Sequence, residues 1–563
     1  MKPLRQWVPM LEWAPSYNRH AFGRDVLAAV IVTLLLIPQS LAYATLAGLP
    51  AQVGLYASIV PLILYAVFGT SRTLSVGPVA IVALMVASTA GAVATQGTPE
   101  YIGAVLLLAC LSGLILIAMG LARLGFLANF LSHPVISGFM TASAFIIATS
   151  QLGPLLGFPI SGSTLPELGA ELVRRMGSVH GPTLALGGLT LVFLYAARWS
   201  PLEPNLVRTA PLVALIVTTA LSWWLDLADQ GVAVIGDISG GLPALTIPPL
   251  DPDLWSALFM GALLISIVGF VESISMAQTL AARRRQRIDP DQELIALGSA
   301  NLGASFSSGM PVTGSFSRSV VNFEANAETP AASLYTALGI ALVTALFTPL
   351  ISYLPLATLS ATIVVAVLSL VDLPIIKRTW NYSVSDFAAM LATSGVTLLV
   401  GGESGIIAGV GLSLGLHLYR TSRPHSAVLG RVPGTEHFRN VDRHEVETDE
   451  ELLVVRVDES LYFANAQHLE DRIQELIAAR PSVRELILTC QAVNTIDASA
   501  LESLETINRR LNESGVRFHL AVVKGPVMDR LRQTDFLEAL TGGVFLSTYH
   551  AWEVLRERSG SNR

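Results

Sequence analysis

Apolar segments long enough to cross a membrane recur from residue 25 to residue 420 and then stop. Crossing a hydrocarbon core takes about 20 apolar residues of helix, fewer where a half-helix is buried in protein. On that measure spans are expected at 25–46, 53–69, 77–94, 101–120, 131–153, 182–197, 207–227, 254–280, 290–305, 315–325, 333–353, 355–371, 384–401 and 403–419. Charged residues make up 14% of the chain, where a soluble domain carries about a quarter. The chain therefore reads as a polytopic α-helical membrane protein with a water-soluble tail. Its first apolar run leads into further spans and not to a cleavage site, so no removable signal peptide is expected.

The basic residues give an orientation. Lys2, Arg5, Arg19 and Arg24 precede the first span; Arg72, Arg123, Arg198 and Arg208, the group Arg283, Arg284, Arg285 and Arg287, Lys377, Arg378 and Arg420 follow later ones. All fall on one side if both termini are cytoplasmic. The loop 228–253 has no Lys or Arg but carries Asp229, Asp237, Asp251 and Asp253, and should face outward. Arg174 and Arg175 break the pattern from a longer loop that also holds Glu167 and Glu171. The positive-inside rule accounts for the Arg283–Arg287 group, so no nucleic-acid site is read there. The expected location is the cell inner (plasma) membrane.

Two segments in matching places are short and interrupted. Residues 70–94 and 305–325 each have a Ser/Thr/Gly/Pro approach followed by a short helix, beginning near Val79 and near Ser315. Paired interrupted segments point to an inverted-repeat transporter with a site at the bilayer midplane; two coincidentally kinked helices are the alternative. Free N–H groups and positive dipole ends at two such helix starts suit an anion. Ser75, Gly77, Ser315, Phe316 and Ser317 would surround it.

Other polar residues stand within apolar runs. Pro38 and Gln39 are expected to interrupt the first span, and Gln39 and Tyr43 share one helix face. They serve either substrate contact or helix–helix attachment. Arg318 lies in the second interrupted segment, either setting a positive potential over the site or snorkelling to the cytoplasm. Glu272 lies mid-span, where an isolated ionised carboxylate is disfavoured. It is a candidate proton-coupling residue, or one half of a structural pair with Arg318. A Na+ site, to which Ser273 and Ser275 could add oxygens, competes with the proton reading. Glu403 reads as a loop residue. His133, His180 and His417 are scattered, and no catalytic, metal or cofactor constellation is read. Cys110 and Cys490, the two cysteines, do not make a disulfide framework.

Beyond a linker at 421–435, strands at 452–457, 485–490 and 517–523 alternate with helices at 466–479, 499–513, near 526–533 and near 550–557. This pattern is a small α/β domain. It lacks a Gly-rich phosphate loop and reads as a regulatory or assembly module.

IPQSLAYATLAGLPAQVGLYAS (37–58), SVGPVAI (75–81) and SSGMPVTGSFSRSVVNFEANAETP (307–330) resemble the sulfate permease family of anion transporters, relatives of the SLC26 proteins. The tail from about 436 to 558 resembles a STAS domain. The resemblance implies fourteen spans as 7+7 inverted repeats of the UraA and SLC26 kind in a 25–420 transport domain, after a 1–24 cytoplasmic segment and before a 436–563 cytoplasmic STAS domain. It implies a core of spans 1–4 and 8–11 moving against a gate of spans 5–7 and 12–14. Gln39, Tyr43, Gly77, Val79 and Ser315 to Ser317 are similar to the family's site positions, Arg318 to its basic position and Glu272 to its acidic position. The implied function is secondary active transport of a small oxyanion, sulfate first, with a proton, in a homodimer. Sodium-coupled bicarbonate transport, proton-coupled dicarboxylate transport, and an anion channel or exchanger are the alternatives; a membrane-anchored regulator is a further one that Glu272 and Arg318 argue against. Ser499 in TIDASALESL (495–504) matches a phosphorylated position of related proteins, but the usual glycine is absent, and Ser499 is expected to take part in a helix cap.

Overall fold

The computed structural model describes residues 7–130, 132–160, 162, 164–199, 204–236, 241–346, 352–369 and 371–561. The chain forms two units, Met1–Ser413 and Leu414–Arg563.

The helices of the membrane unit are α1 (Arg19–Leu46), α2 (Val60–Phe68), α3 (Ala80–Gly91), α4 (Pro99–Leu121), α5 (His133–Leu156), α6 (Gly181–Trp199), α7 (Pro204–Trp224), α8 (Pro252–Arg283), α9 (Pro290–Phe306), α10 (Phe316–Glu324), α11 (Ala331–Leu346), α12 (Leu356–Leu368), α13 (Val384–Leu399) and α14 (Gly402–Ser422). Two-residue strands β1 (Val76–Gly77) and β2 (Thr313–Gly314) precede α3 and α10. α1, α4, α5 and α8 are long and apolar enough to cross a membrane alone, while α3 is a shorter apolar helix.

Several expectations change. Pro38 does not interrupt the first span; α1 runs through it. The missing N–H at Pro38 removes one bond of the ladder, and the surrounding helices hold the rest. The span expected at 53–69 is split into Gln52–Tyr56 and α2. Arg174 and Arg175 lie on a helix, Leu165–Arg175, whose Glu171 pairs with both. Pairing of this kind makes them poor indicators of orientation.

Packing divides the membrane unit. α4 packs on α8 and α9, and α11 on α1 and α2, whereas α5 packs on α12 and α13, and α6 on α12; α1 joins the two groups, packing also on α7 and α12. The α4–α9 contact is made by small residues. A Cβ on Gly113 would lie 2.8 Å from the carbonyl oxygen of Gly298, and one on Gly298 2.7 Å from that of Gly113. Close backbone approach of this sort replaces hydrophobic attraction, which lipid does not supply.

The soluble unit is a six-stranded sheet in the order β4-β3-β5-β6-β7-β8: β3 (Ser426–Arg431), β4 (Phe438–Asn440), β5 (Leu452–Val457), β6 (Glu485–Thr489), β7 (Arg517–Ala521) and β8 (Val544–Phe545). β5 to β8 run parallel, with β3 antiparallel to β4 and β5. β3 falls in the stretch expected as linker. Along β5, Leu453, Val455 and Val457 face helices α15 (Ala466–Ala478) and α16 (Ala498–Glu513), while Leu452 and Val454 face Trp552 and Leu555 of α17 (Thr548–Ser561). Strand alternation buries both faces. The α16 cap is Asp497, which accepts from Ala500 N at 2.9 Å, and Ser499 lies exposed in the first turn. Ser499, expected in the cap, stands two residues past the carboxylate that has the reach to close it.

Glu485 is a buried carboxylate in this unit. It bonds His519 Nε2 at 2.7 Å and pairs with Arg517. Gly543 N donates to His519 Nδ1, which leaves the proton on Nε2 for Glu485. Burial pushes the Glu485 carboxyl up, but the His519 and Arg517 contacts outweigh it and hold the group below the usual range. A depressed carboxylate stabilises the fold above its unfolded pKa of about 4.3, and that contribution is lost as pH falls through the folded value. Glu485→Gln is therefore expected to cost roughly 1–3 kcal/mol at neutral pH. In thermal unfolding of the full chain, the deficit relative to the parent should shrink in acid. An equal deficit at every pH would remove the charge from the explanation.

Candidate anion site at a crossed pair of half-helices

β1 and β2 pair antiparallel, Val76 opposite Gly314 and Gly77 opposite Thr313. Each strand leads at once into a helix, so α3 and α10 leave the crossing in opposite directions with their N-termini beside it. Local sequence dictates the extended start: Gly77 precedes Pro78, and a residue before proline avoids the helical region. Side chains of Asn18, Thr98, Asp251 and Asp289 close the N-termini of α1, α4, α8 and α9. Those of α3 and α10, like those of α2, α5 and α12, have no side-chain cap; Val79 and Ser315 stand at the cap positions without closing them. Their first-turn N–H groups remain available to an anion.

Arg318 reaches into the crossing from α10 and is fully buried. Its Nη1 donates to Gln39 Oε1 and to the Pro78 carbonyl, each at 3.0 Å. Nε and Nη2 have no partner. The guanidinium does not snorkel: it is buried at the crossing and held there by Gln39 and the Pro78 carbonyl. Gly77 leaves it room: a Cβ there would lie 3.2 Å from Nη2, on a backbone with φ of 157°. Gly77→Ala both strains this backbone and presses on the guanidinium, at about 1–3 kcal/mol. Anion affinity should fall roughly 10-fold or more; unchanged binding would place Gly77 outside the site.

Tyr43 is buried on the same face of α1 as Gln39. Tyr43, Arg318 and Glu272 lie within electrostatic range of one another. Glu272 on α8 makes no ion pair with Arg318, so the structural-pair reading does not hold. Its Oε2 is buried without a partner. It borders a cavity of about 20 Å³ whose other walls are apolar, among them Ile81 of α3, Phe139 of α5 and Ile406 of α14. Ser273 is not free for a cation: its hydroxyl bonds Thr313 Oγ1 at 2.6 Å and accepts from Gly314 N at 2.8 Å, fixing β2 to α8. Ser275 faces away, exposed.

Ser75 is buried, its N–H donating to Ser319 Oγ at 2.9 Å and its carbonyl accepting from Ser315 N at 3.0 Å. Its hydroxyl has no partner. Ser317 is exposed and lies 3.3 Å from Ser315 Oγ. The side chains of Phe316 and Glu403 lie outside the described residues; the Glu403 backbone starts α14 and is not a loop.

Residues not expected from the sequence hold the crossing in place. Asn301 of α9 donates to the Val312 carbonyl and accepts from its N–H, both at 2.9 Å. Asn322 donates to the Thr73 carbonyl. Arg284, taken only as an orientation charge, donates to the Phe323 and Ala327 carbonyls at the end of α10. A cation there also favours the helix dipole. Buried Asp25 accepts from Glu328 N and Thr329 N. Glu293 of α9 accepts from Tyr65 Oη, Thr70 N, Thr70 Oγ1 and Ser71 N. No local pattern marks them: Glu293 follows the polar stretch 289–292, and Asn301 stands among Gly298, Ser299 and Gly303.

Residues 22–393 match the sulfate permease family and residues 443–551 the STAS domain. The chain belongs to the sulfate permease family. Among relatives, it is 36% identical over 516 residues to sulfate transporter 4.1, chloroplastic, of Arabidopsis thaliana, covering 89% of this chain and 75% of that one. It is 34% identical over 557 residues to a Mycobacterium tuberculosis protein named as a probable sulfate transporter, covering 98% of each. Its fold is similar to that of murine Solute Carrier 26 family member A9, an anion transporter in the inward-facing state, with a TM-score of 0.90 at 23% identity over 98% of this chain and 94% of that one. The transmembrane domain of the cyanobacterial bicarbonate transporter BicA aligns at a TM-score of 0.62 and 22% identity, over 70% of this chain and 99% of that one. This family member is thus a multi-pass membrane protein with a C-terminal STAS domain.

Proposed function

We propose that this sulfate permease homologue is a secondary active carrier that takes up sulfate with a proton, the anion resting at the crossing of α3 and α10. One observation carries the reading: a fully buried guanidinium with two unpartnered nitrogens sits beside two uncapped helix N-termini. A buried positive charge with open donors is costly unless an anion completes it. Backbone N–H groups supply the rest without further charge. Gln39, Tyr43, Ser75, Gly77, Val79, Ser315 and Arg318 form the proposed site, with Phe316 and Ser317 at the start of α10.

Sulfate is favoured because the relatives matched over most of both chains are named as sulfate transporters. The bicarbonate transporter is similar in fold alone. Glu272 is the proposed proton carrier. Glu293 and Asp25, buried carboxylates of the same unit, are saturated by four and three donors, whereas Glu272 keeps an unpartnered oxygen in an apolar cavity. A carboxyl in that setting takes a proton more readily than it stays bare. The packing division of the membrane unit supports an elevator-like motion of a core of α1–α4 and α8–α11 against a gate of α5–α7 and α12–α14. The basic loops support cytoplasmic termini in a plasma membrane, and the family resemblance a homodimer. The test is counterflow of labelled sulfate in proteoliposomes. Sulfate should chase the label while bicarbonate and fumarate do not; a chase by bicarbonate or fumarate alone would reassign the substrate.

A further inference from the structure

A cavity of about 940 Å³ opens where α2 and α4 end and α9 begins, walled also by Trp7 and the short helix Met10–Trp13. It shares no residue with the anion site. Arg72, Arg123 and Arg287 line it. All three are exposed, and none of their guanidinium groups makes an ion pair or hydrogen bond among the described residues. Three carboxylates share the cavity with them: Glu12, Asp289 and Asp291. Asp289 Oδ1 is occupied by Asp291 N at 3.0 Å, and Asp291 Oδ1 by Gly125 N at 2.8 Å. Each keeps its second oxygen. Trp13 also lines the cavity; it is 9% exposed, and its Nε1 has no acceptor.

Cations and carboxylates that share one cavity without pairing, beside a buried donor without an acceptor, are satisfied together by a ligand of both signs. We infer that this cavity binds a phosphate–ammonium zwitterion, the headgroup chemistry of phosphatidylethanolamine. Guanidinium groups take phosphate oxygens in a fork geometry that ammonium groups cannot match. The carboxylates take the ammonium, and the Trp13 indole donates to a phosphate or ester oxygen. Trp7, 46% exposed at the same rim, is the amphipathic ring that a membrane–water boundary favours. The site has a mechanical connection to the transport machinery, since α2 leads through Thr70 and Arg72 into β1. Its occupancy does not depend on which anion is carried.

The experiment is native mass spectrometry of the purified, delipidated full chain, titrated with phosphatidylethanolamine, phosphatidylglycerol or free phosphoethanolamine. Phosphatidylethanolamine adducts should form in preference to phosphatidylglycerol adducts. The combined Arg72→Gln, Arg123→Gln and Arg287→Gln variant should weaken them about 10-fold or more. Trp13→Phe, which keeps an aromatic ring and removes the donor, should weaken them less. Binding of free phosphoethanolamine at similar concentrations would support the same chemistry with a soluble source, and binding of the lipid alone would make the source the bilayer. Equal binding of both lipids, or arginine variants that bind as the parent does, would overturn the inference. If the triple variant does not fold, Trp13→Phe and Arg123→Gln singly carry the same test.

Discussion

Replacing Arg318 with alanine is expected to weaken sulfate binding by about 100-fold or more. The guanidinium is fully buried, and Nη1 ties Gln39 of α1 to the Pro78 carbonyl ahead of α3 while Nε and Nη2 stay open. Alanine removes the charge that offsets anion desolvation. It also leaves Gln39 Oε1 and the Pro78 carbonyl without this donor, so some stability is lost with affinity. Arg318→Lys separates the two effects. It keeps the charge and loses the fork, and should fall between parent and alanine. Equilibrium binding of labelled sulfate to purified protein reads the difference. Unaltered affinity in the alanine variant, with the protein folded, would make Arg318 a brace between α10 and α1 and nothing more.

Glu272→Gln is expected to abolish the response of uptake to a proton gradient while leaving sulfate–sulfate exchange. Glutamine fills the same volume at the edge of the small apolar cavity but carries no ionisable proton. Exchange needs the loaded carrier to cross and return, and a neutral side chain allows both. Net uptake needs the empty carrier to return, which under the proposed coupling follows proton release in the parent. Uptake at a fixed inside pH, with outside pH varied, should respond in the parent and stay flat in the variant. The same slope in both would move proton coupling to another group.

The fold was legible to the extent that physics is local. Apolar length marked the spans, and the Ser/Gly/Pro approaches at 70–79 and 305–315 marked the half-helices within a residue of Ala80 and Phe316. Pro38 misled because helix propensity assumes water; neighbouring helices keep α1 continuous through it. β3 and β4 were hidden because their segment is polar and short, and their pairing to β5 is long-range. Gln39, Tyr43, Gly77, Glu272 and Arg318 were legible as polar or permissive residues in apolar surroundings, and the structure gathers them near one crossing. Asn301, Asn322, Arg284 and Ser319 were not, because their work is to bond backbone atoms distant in sequence. No local pattern announces such a partner. Whether Arg318 paired with Glu272 or with Gln39 likewise depended on how α1, α8 and α10 pack.

The central claim is that sulfate and a proton move together through this membrane unit. The most direct measurement is uptake of labelled sulfate into proteoliposomes without sodium, with an imposed inward proton gradient and with the gradient collapsed by an ionophore. Uptake that rises above equilibrium under the gradient and stays at equilibrium without it is the expected result. Uptake that never exceeds equilibrium in either condition, from protein that binds sulfate, would contradict the claim and make the chain a passive exchanger or channel.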